Sequence, residues 1–152
     1  MTFGDDRAVS PVFGYALTLS ISTILVGGLL ITAGGYVDSQ RSTTAESELR
    51  VLGQQVSADI SSADRLVRTD DVGTVSVGRS LPSQVVGSTY QIHVRDSGGP
   101  TSPYLELTAQ NPDVSVVVGI TSKTSVAITS AAGGDIEVVY DAAANEVVLQ
   151  ND

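Results

Sequence analysis

The chain of 152 residues contains no cysteine. That removes disulfides, thiolate metal sites, thiol nucleophiles and a lipid-attachment cysteine in one step. It has a single histidine, His93, and a single lysine, Lys123. A lone histidine without thiolate or patterned carboxylate partners, on the polar phase of its strand, reads as a surface side chain. No Asn-x-Ser/Thr sequon occurs, since Asn111 precedes Pro112-Asp113 and Asn145 precedes Glu146-Val147. Neither G-x-G-x-x-G nor a Walker pattern is present, and no Ser/His/Asp spacing or paired carboxylate in an apolar setting appears. No enzyme activity, cofactor or metal is expected from this inventory.

Bases are also scarce. Eight oppose 17 acids, for a net charge of −9. The acids are mostly aspartate (12) and seven of the bases are arginine. Such a charge repels nucleic acid and anionic lipid surfaces, so no nucleic-acid partner is expected. The carboxylates are scattered and form no D-x-D-x-D loop, which argues against a calcium site and for an acidic surface kept hydrated in high salt.

What the chain has is one long uncharged run. The thirty residues from Ala8 to Val37 read AVSPVFGYALTLSISTILVGGLLITAGGYV. As a helix the run is about 45 Å long at roughly 1.5 Å per residue, enough to cross a hydrocarbon core of about 30 Å. Asp5-Asp6-Arg7 stands in front of it, so the basic first region of a secretory signal peptide is missing. The nearest small-x-small exit, Ile31-Thr32-Ala33, has a bulky residue where a small one is needed. The segment is therefore expected to stay on the protein as a membrane span in contact with lipid. Ser10 reads as the N-cap of this helix, with Pro11 at its first position, where a missing N–H costs nothing. Tyr36 is placed as an interface anchor at the end of the span.

The ten residues Asp5-Asp6-Arg7-Ala8-Val9-Ser10-Pro11-Val12-Phe13-Gly14 resemble the N-terminus of haloarchaeal type IV pilins and pilin-like proteins. The likeness extends to about Val37. It implies a leader, residues 1–7, removed by a membrane-embedded prepilin peptidase between Arg7 and Ala8. The helix would remain on the mature chain, anchor it, and join other pilin-like subunits, or copies of itself, in a filament core. It implies a short cytoplasmic end and an extracellular head. Common members continue with a denser Ile/Leu/Val stretch, whereas this chain carries Tyr15, Thr18, Ser20, Ser22, Thr23, Gly27, Gly28, Gly34 and Gly35. That departure fits a minor, pilin-like subunit better than a main structural pilin.

Beyond the span, apolar residues recur at Ala45, Leu49, Leu52, Val56, Ile60, Ala63 and Val67, in steps of three and four that trace one helical stripe. Glu46 with Arg50 and Asp64 with Arg68 form acid-first i,i+4 pairs. No proline lies between Val12 and Leu81. One nearly continuous helix over residues 12–67 is predicted, about 80–85 Å long at roughly 1.5 Å per residue, with Gly34-Gly35 as the place for a bend. From residue 70 onward β-branched runs alternate with turn chemistry. Strands are predicted at 73–77, 89–94, 104–108, 114–120, 125–129, 136–140 and 146–149. The turns fall at Ser97-Gly98-Gly99-Pro100, Asn111-Pro112-Asp113, Ala132-Gly133-Gly134-Asp135 and 141–145.

The predicted architecture is therefore α+β: a leader (1–7), a transmembrane helix (8–37), its amphipathic continuation (38–69) and a β-rich head (70–152). A head of about 80 residues buries too little alone. One face of its small antiparallel sheet is expected to cover the helix stripe of residues 45–67.

Within the span, Gly14, Gly28 and Gly35 fall on heptad spacing, as do Ser20, Gly27 and Gly34. Small residues on one stripe let helices approach closely in lipid and gain dispersion contacts. They are the candidate packing face for a neighbouring helix; the alternative is that small residues, ordinary in membrane helices, share a stripe by chance. Three functional readings follow. The first is a pilin-like subunit cleaved at Arg7–Ala8. The second is a membrane-anchored surface domain that never polymerises. The third is a binding module whose exposed β edge captures a partner strand.

Overall fold

The computed structural model describes residues 6–69 (backbone alone for 6–11), 74–96 and 103–152. The chain divides into two compact units, Met1–Gln40 and Arg41–Asp152. A single helix, α1 (Asp6–Thr69), contributes to both. It begins upstream of Ser10, so Ser10 is not its N-cap and Pro11 is not its first residue. Pro11 stands in the second turn, near enough to the start that it removes only one of the first possible i→i−4 bonds. The backbone stays helical through Gly34-Gly35.

In the second unit the helix stripe is the floor of the core. Ala45, Leu49, Leu52, Val56, Ile60 and Ala63 are buried and Val67 is partly buried. Each large member contributes roughly 1.5–3 kcal/mol by leaving water. Among the described residues nine strands follow the helix: β1 (Ser76–Ser80), β2 (Gln84–Val85), β3 (Ser88–Arg95), β4 (Tyr104–Gln110), β5 (Asp113–Gly119), β6 (Ser125–Val126), β7 (Ser130–Ala132), β8 (Asp135–Asp141) and β9 (Glu146–Asn151). They form two sheets, ordered β1-β8-β9-β6 and β2-β3-β4-β5, with β7 pairing β3. All pairs are antiparallel except β6 with β9. The fold is α+β, as the sequence predicts, with a curled sheet.

Alternation explains the layers. In β3, Tyr90, Ile92 and Val94 are buried while Gln91 and Arg95 are exposed. In β8, Ile136 and Val138 are buried while Asp135 and Asp141 are exposed. Residues of one parity therefore face the core and the other parity faces water. The two sheets are closed on each other by a side chain acting as a surrogate strand. Asn151 Nδ2 donates to Ala132 O (3.0 Å), and Ala132 N–H donates to Asn151 Oδ1 (3.0 Å).

Four connections set the registers. Val86 and Gly87 both have positive φ, 50° and 78°, as a two-residue type I′ link between β2 and β3 requires. The Asn111–Pro112 bond between β4 and β5 is cis. Asp141 Oδ1 accepts the N–H groups of Ala143 (2.8 Å) and Ala144 (3.3 Å), and Asn145 at φ 57° ends the β8–β9 turn. Between β7 and β8 the chain passes so close to the Tyr90 ring that a Cβ on Gly133 would collide with its Cε1 and Cζ.

Some boundaries differ from expectation. The strand predicted at 73–77 is shifted to Ser76–Ser80, because pairing with β8 and an ion pair from Arg79 to the helix draw the chain onward. The strand predicted at 125–129 is only Ser125–Val126. After two residues beside β9 the chain changes sheets, and Thr129 O accepts the N–H of Val94 on the approach to β7. Strands β2 and β7 were not predicted, since neither is long enough to show a period. The turn at 97–100 lies outside the described residues.

Candidate functional site

The first unit holds the candidate span. The helix is long and apolar enough to cross a membrane once, and its most apolar stretch is not buried by the rest of the chain. Large apolar side chains stand open along it; Ile31 is 80% exposed, Ile24 73% and Leu25 67%. Four of its hydroxyls bond back into the helix. Thr18 Oγ1 donates to Gly14 O (2.9 Å), Ser20 Oγ to Ala16 O (2.8 Å), Thr23 Oγ1 to Leu19 O (2.9 Å) and Thr32 Oγ1 to Gly28 O (3.0 Å). Each of these bonds keeps a hydroxyl from meeting hydrocarbon unsatisfied.

The predicted packing residues lie on this surface. A Cβ added at Gly14, Gly27, Gly28, Gly34 or Gly35 meets nothing within 4 Å. Gly14, Gly28 and Gly35 form one stripe, and Ser20, Gly27 and Gly34 an adjacent one, each drifting about 20° per heptad on a straight helix. No described part of the chain fills either stripe. Arg7 and Ala8 fall inside α1 by backbone; their side chains lie outside the described residues.

The second unit carries a polar seam that sequence reasoning missed. Ser57 Oγ donates to Gly119 O (2.8 Å) and Ser61 Oγ to Thr121 O (2.8 Å). One turn on, Asp64 Oδ1 accepts the N–H groups of Thr124 (2.8 Å) and Lys123 (3.3 Å). Three helix side chains at four- and three-residue steps thus hold the connector between β5 and β6. Asp64 is buried, and burial pushes its carboxyl up. The Thr124 and Lys123 donors and the Arg68 guanidinium outweigh this and hold it below the ordinary aspartate value. The predicted Asp64–Arg68 pair is present at 3.2 Å, and so is Glu46–Arg50 at 2.7 Å.

A second buried acid, Asp59, pairs with Arg79 of β1. Its two oxygens accept from Arg79 Nε and from Nη2 (2.6 Å), a bidentate fork that clamps the first sheet to the helix. The hydrogen bond to Asp59 raises the Arg79 pKa further. Asp59 stands three residues after Val56 and Asp64 four after Ile60, within the stripe's own spacing. That spacing was the available signal. Gly53 is a further missed residue: a Cβ there would lie 2.8 Å from Val118 Cγ2 and 2.9 Å from Leu107 Cδ1, so helix and second sheet approach closely at that point.

His93 is half-buried on β3, in register with Glu106 and Ser130. Among the described residues no three His, Asp or Glu side chains are grouped to hold a metal ion. Tyr90 is deeply packed and donates to Pro82 O (2.8 Å); burial pushes its hydroxyl up to about 12.

The fold and its surface define a class: an α+β protein with one long apolar N-terminal helix, compatible with anchoring in a membrane, followed by a β-sheet head built on the same helix. Residues 4–151 match a family of unknown function, DUF7266, and the chain belongs to that family. No curated protein and no solved structure matches it.

Proposed function

We propose that this chain is a membrane-anchored, type IV pilin-like subunit, more a minor than a major one. Its leader is removed between Arg7 and Ala8 by a prepilin peptidase. Its apolar helix sits in lipid, its head is extracellular, and the Gly/Ser stripes receive the helix of another pilin-like subunit or of a second copy. The single observation that carries the reading is the uncovered apolar helix placed directly ahead of a folded head. An all-apolar helix in water would need cover, and no described part of the chain supplies it. The N-terminal resemblance at residues 5–14 supports the same reading, as do the bonds by which Thr18, Ser20 and Thr23 satisfy their hydroxyls within the span.

The test is the intact mass of the membrane-resident protein. The mature chain should begin at Ala8. A protein retaining Met1 or Thr2 would remove the pilin-like reading and leave an uncleaved, anchored surface domain. Protease added to intact cells should trim the region 70–152; a fully protected head would reverse the topology.

A further inference from the structure

We propose that the cleft between the end of α1 and the β5–β6 connector binds a dianionic tetrahedral oxyanion, a free phosphate or a phosphate monoester, through Arg65, Arg68 and Lys123. Charge placement is the first observation. Acids outnumber bases 17 to eight, and Arg50, Arg79 and Arg95 each meet an acid of their own. Arg65 and Lys123 do not: among the described residues no carboxylate pairs with either. Both line one cleft of about 270 Å³ together with Arg68. Three of the eight bases of an acidic chain thus converge on one place, and two of them are uncompensated there.

Asp64 lines the cleft as well, but its oxygens are already engaged, Oδ1 by the N–H groups of Lys123 and Thr124 and Oδ2 by Arg68 Nη2 (3.2 Å). These bonds fix Arg68 and the Lys123 backbone against one carboxylate. Ser61 ties down the connector one turn earlier, through Thr121 O. Arg65 Nε donates to Ser61 O (3.1 Å) and Arg68 Nε to Asp64 O (3.3 Å). Both guanidinium stems are therefore held to the helix while Nη donors stay in reserve. The negative end of the helix dipole lies nearby, and Arg68 in the last turn offsets it.

The ligand follows from charge and shape. Arg68 is balanced by Asp64, which leaves the charges of Arg65 and Lys123 unopposed. A phosphate monoester carries about −1.5 to −2 at neutral pH and offers three strong acceptor oxygens. Three cationic side chains from two segments match that charge and supply donors from more than one side. A carboxylate is planar and is satisfied by a single arginine fork. The cleft volume equals about nine waters at roughly 30 Å³ each, room for an oxyanion and part of its hydration shell. A bilayer surface is not the source, since a net charge of −9 opposes approach to anionic lipid. The site belongs to the head alone, so it stands whether or not the chain joins a pilin-like assembly.

Calorimetric titration of inorganic phosphate into the full chain, in neutral detergent at low chloride, tests this. Binding should saturate at one phosphate per chain. Sulfate should compete, and nitrate, with a single charge, should not. Arg65→Gln and Lys123→Gln should each weaken binding roughly fivefold, the scale of one exposed ion pair, and the double variant should abolish it. Both side chains are exposed, so melting temperatures without phosphate should stay unchanged. Arg41→Gln removes the same charge from a residue that lines no part of the cleft, and should leave binding intact. Glycerol phosphate separates the two sources. If it binds as tightly as the free ion, the site takes a phosphorylated molecule; if it is excluded, the site takes phosphate itself. An absence of saturable binding, a double variant that still binds, equal losses in Arg41→Gln and Lys123→Gln, or nitrate competing as well as sulfate would each overturn the proposal.

Discussion

Replacing Asp64 by alanine should unfold the β5–β6 connector before anything else, and the size of the effect can be worked out from its bonds. Asp64 is 3% exposed, and one of its oxygens accepts two backbone N–H groups. A hydrogen bond to a charged group contributes about 1.5–3 kcal/mol net, and a buried donor left unmade costs about 1–3. Thr124 is the close donor, at 2.8 Å; Lys123, at 3.3 Å, adds less. Asp64→Ala should therefore cost about 2–3 kcal/mol. For a unit of this size that is a fall of roughly 8–12 °C in Tm. Asp64→Asn keeps an acceptor in place and should cost only about 1 kcal/mol, the charge-assisted share.

The pH dependence separates charge from shape. The folded Asp64 pKa lies below its ordinary value, so its contribution is fully present above the unfolded value, about 3.9. It is lost as pH falls from there through the folded pKa. The gap between the native protein and Asp64→Asn should close over that acid window and stay constant above it. Thermal melts of the detergent-solubilised chain between pH 2 and pH 7 are the assay. If Asp64→Asn were as damaging as Asp64→Ala at neutral pH, or if both were silent, the acid would not be what holds the connector.

Gly133→Ala should cost roughly 2–3 kcal/mol as an overpacked site, because the new methyl would press on the rigid, buried Tyr90 ring, and a melt lower by about 8 °C or more is expected. At the clamp between helix and first sheet, Arg79→Ala should be worse than Asp59→Ala, about 3 against 2 kcal/mol. The orphaned Asp59 side chain is 8% exposed, whereas an orphaned Arg79 is 39% exposed and partly hydrated. The double variant should cost less than the sum of the two, as read from urea unfolding.

Periodicity made the helix legible. A stripe of seven apolar residues at three- and four-residue steps has one solution, and six of them are buried in the fold. Strands β3, β4, β5, β8 and β9 were legible for the corresponding reason, since five or more alternating residues define a phase. What did not show was everything decided by a distant partner. Ser125–Val126 stops because the chain leaves β9 for β3. Val86 sits at positive φ in a tight turn, where a β-branched residue is the least expected. Gly53 looks like a weak helix residue until Val118 and Leu107 are found against it. Asp59 and Asp64 looked like surface charge, and only the arrival of Arg79 and of the 119–124 connector makes them interior. For the span, apolarity and small-residue spacing are local properties and could be read directly, but a partner helix leaves no mark on one chain.

The same side-chain type is used in two opposite ways along α1, and the difference decides how the proposed assembly should be tested. In the head, Ser57 and Ser61 reach out to carbonyls of another segment. In the span, Ser20, Thr18, Thr23 and Thr32 bond back to their own helix, as Ser47 and Ser62 do beyond it. A hydroxyl already bonded in this way gives a neighbouring helix little directional information, so association through the span should depend on shape. Gly28→Leu is then the informative change. Its open stripe would gain a side chain, forcing an approaching helix outward, while the apolarity needed for insertion rises. Ser20→Ala should be nearly silent, since it keeps the small volume and removes only a bond internal to the helix. Crosslinking between span helices in native membranes should fall for Gly28→Leu with membrane retention unchanged, and stay near the native yield for Ser20→Ala. The reverse ranking would mean that the helices recognise each other by hydrogen bonding, and equal yields in all three proteins would leave the glycines as a chance spacing on a lone anchor.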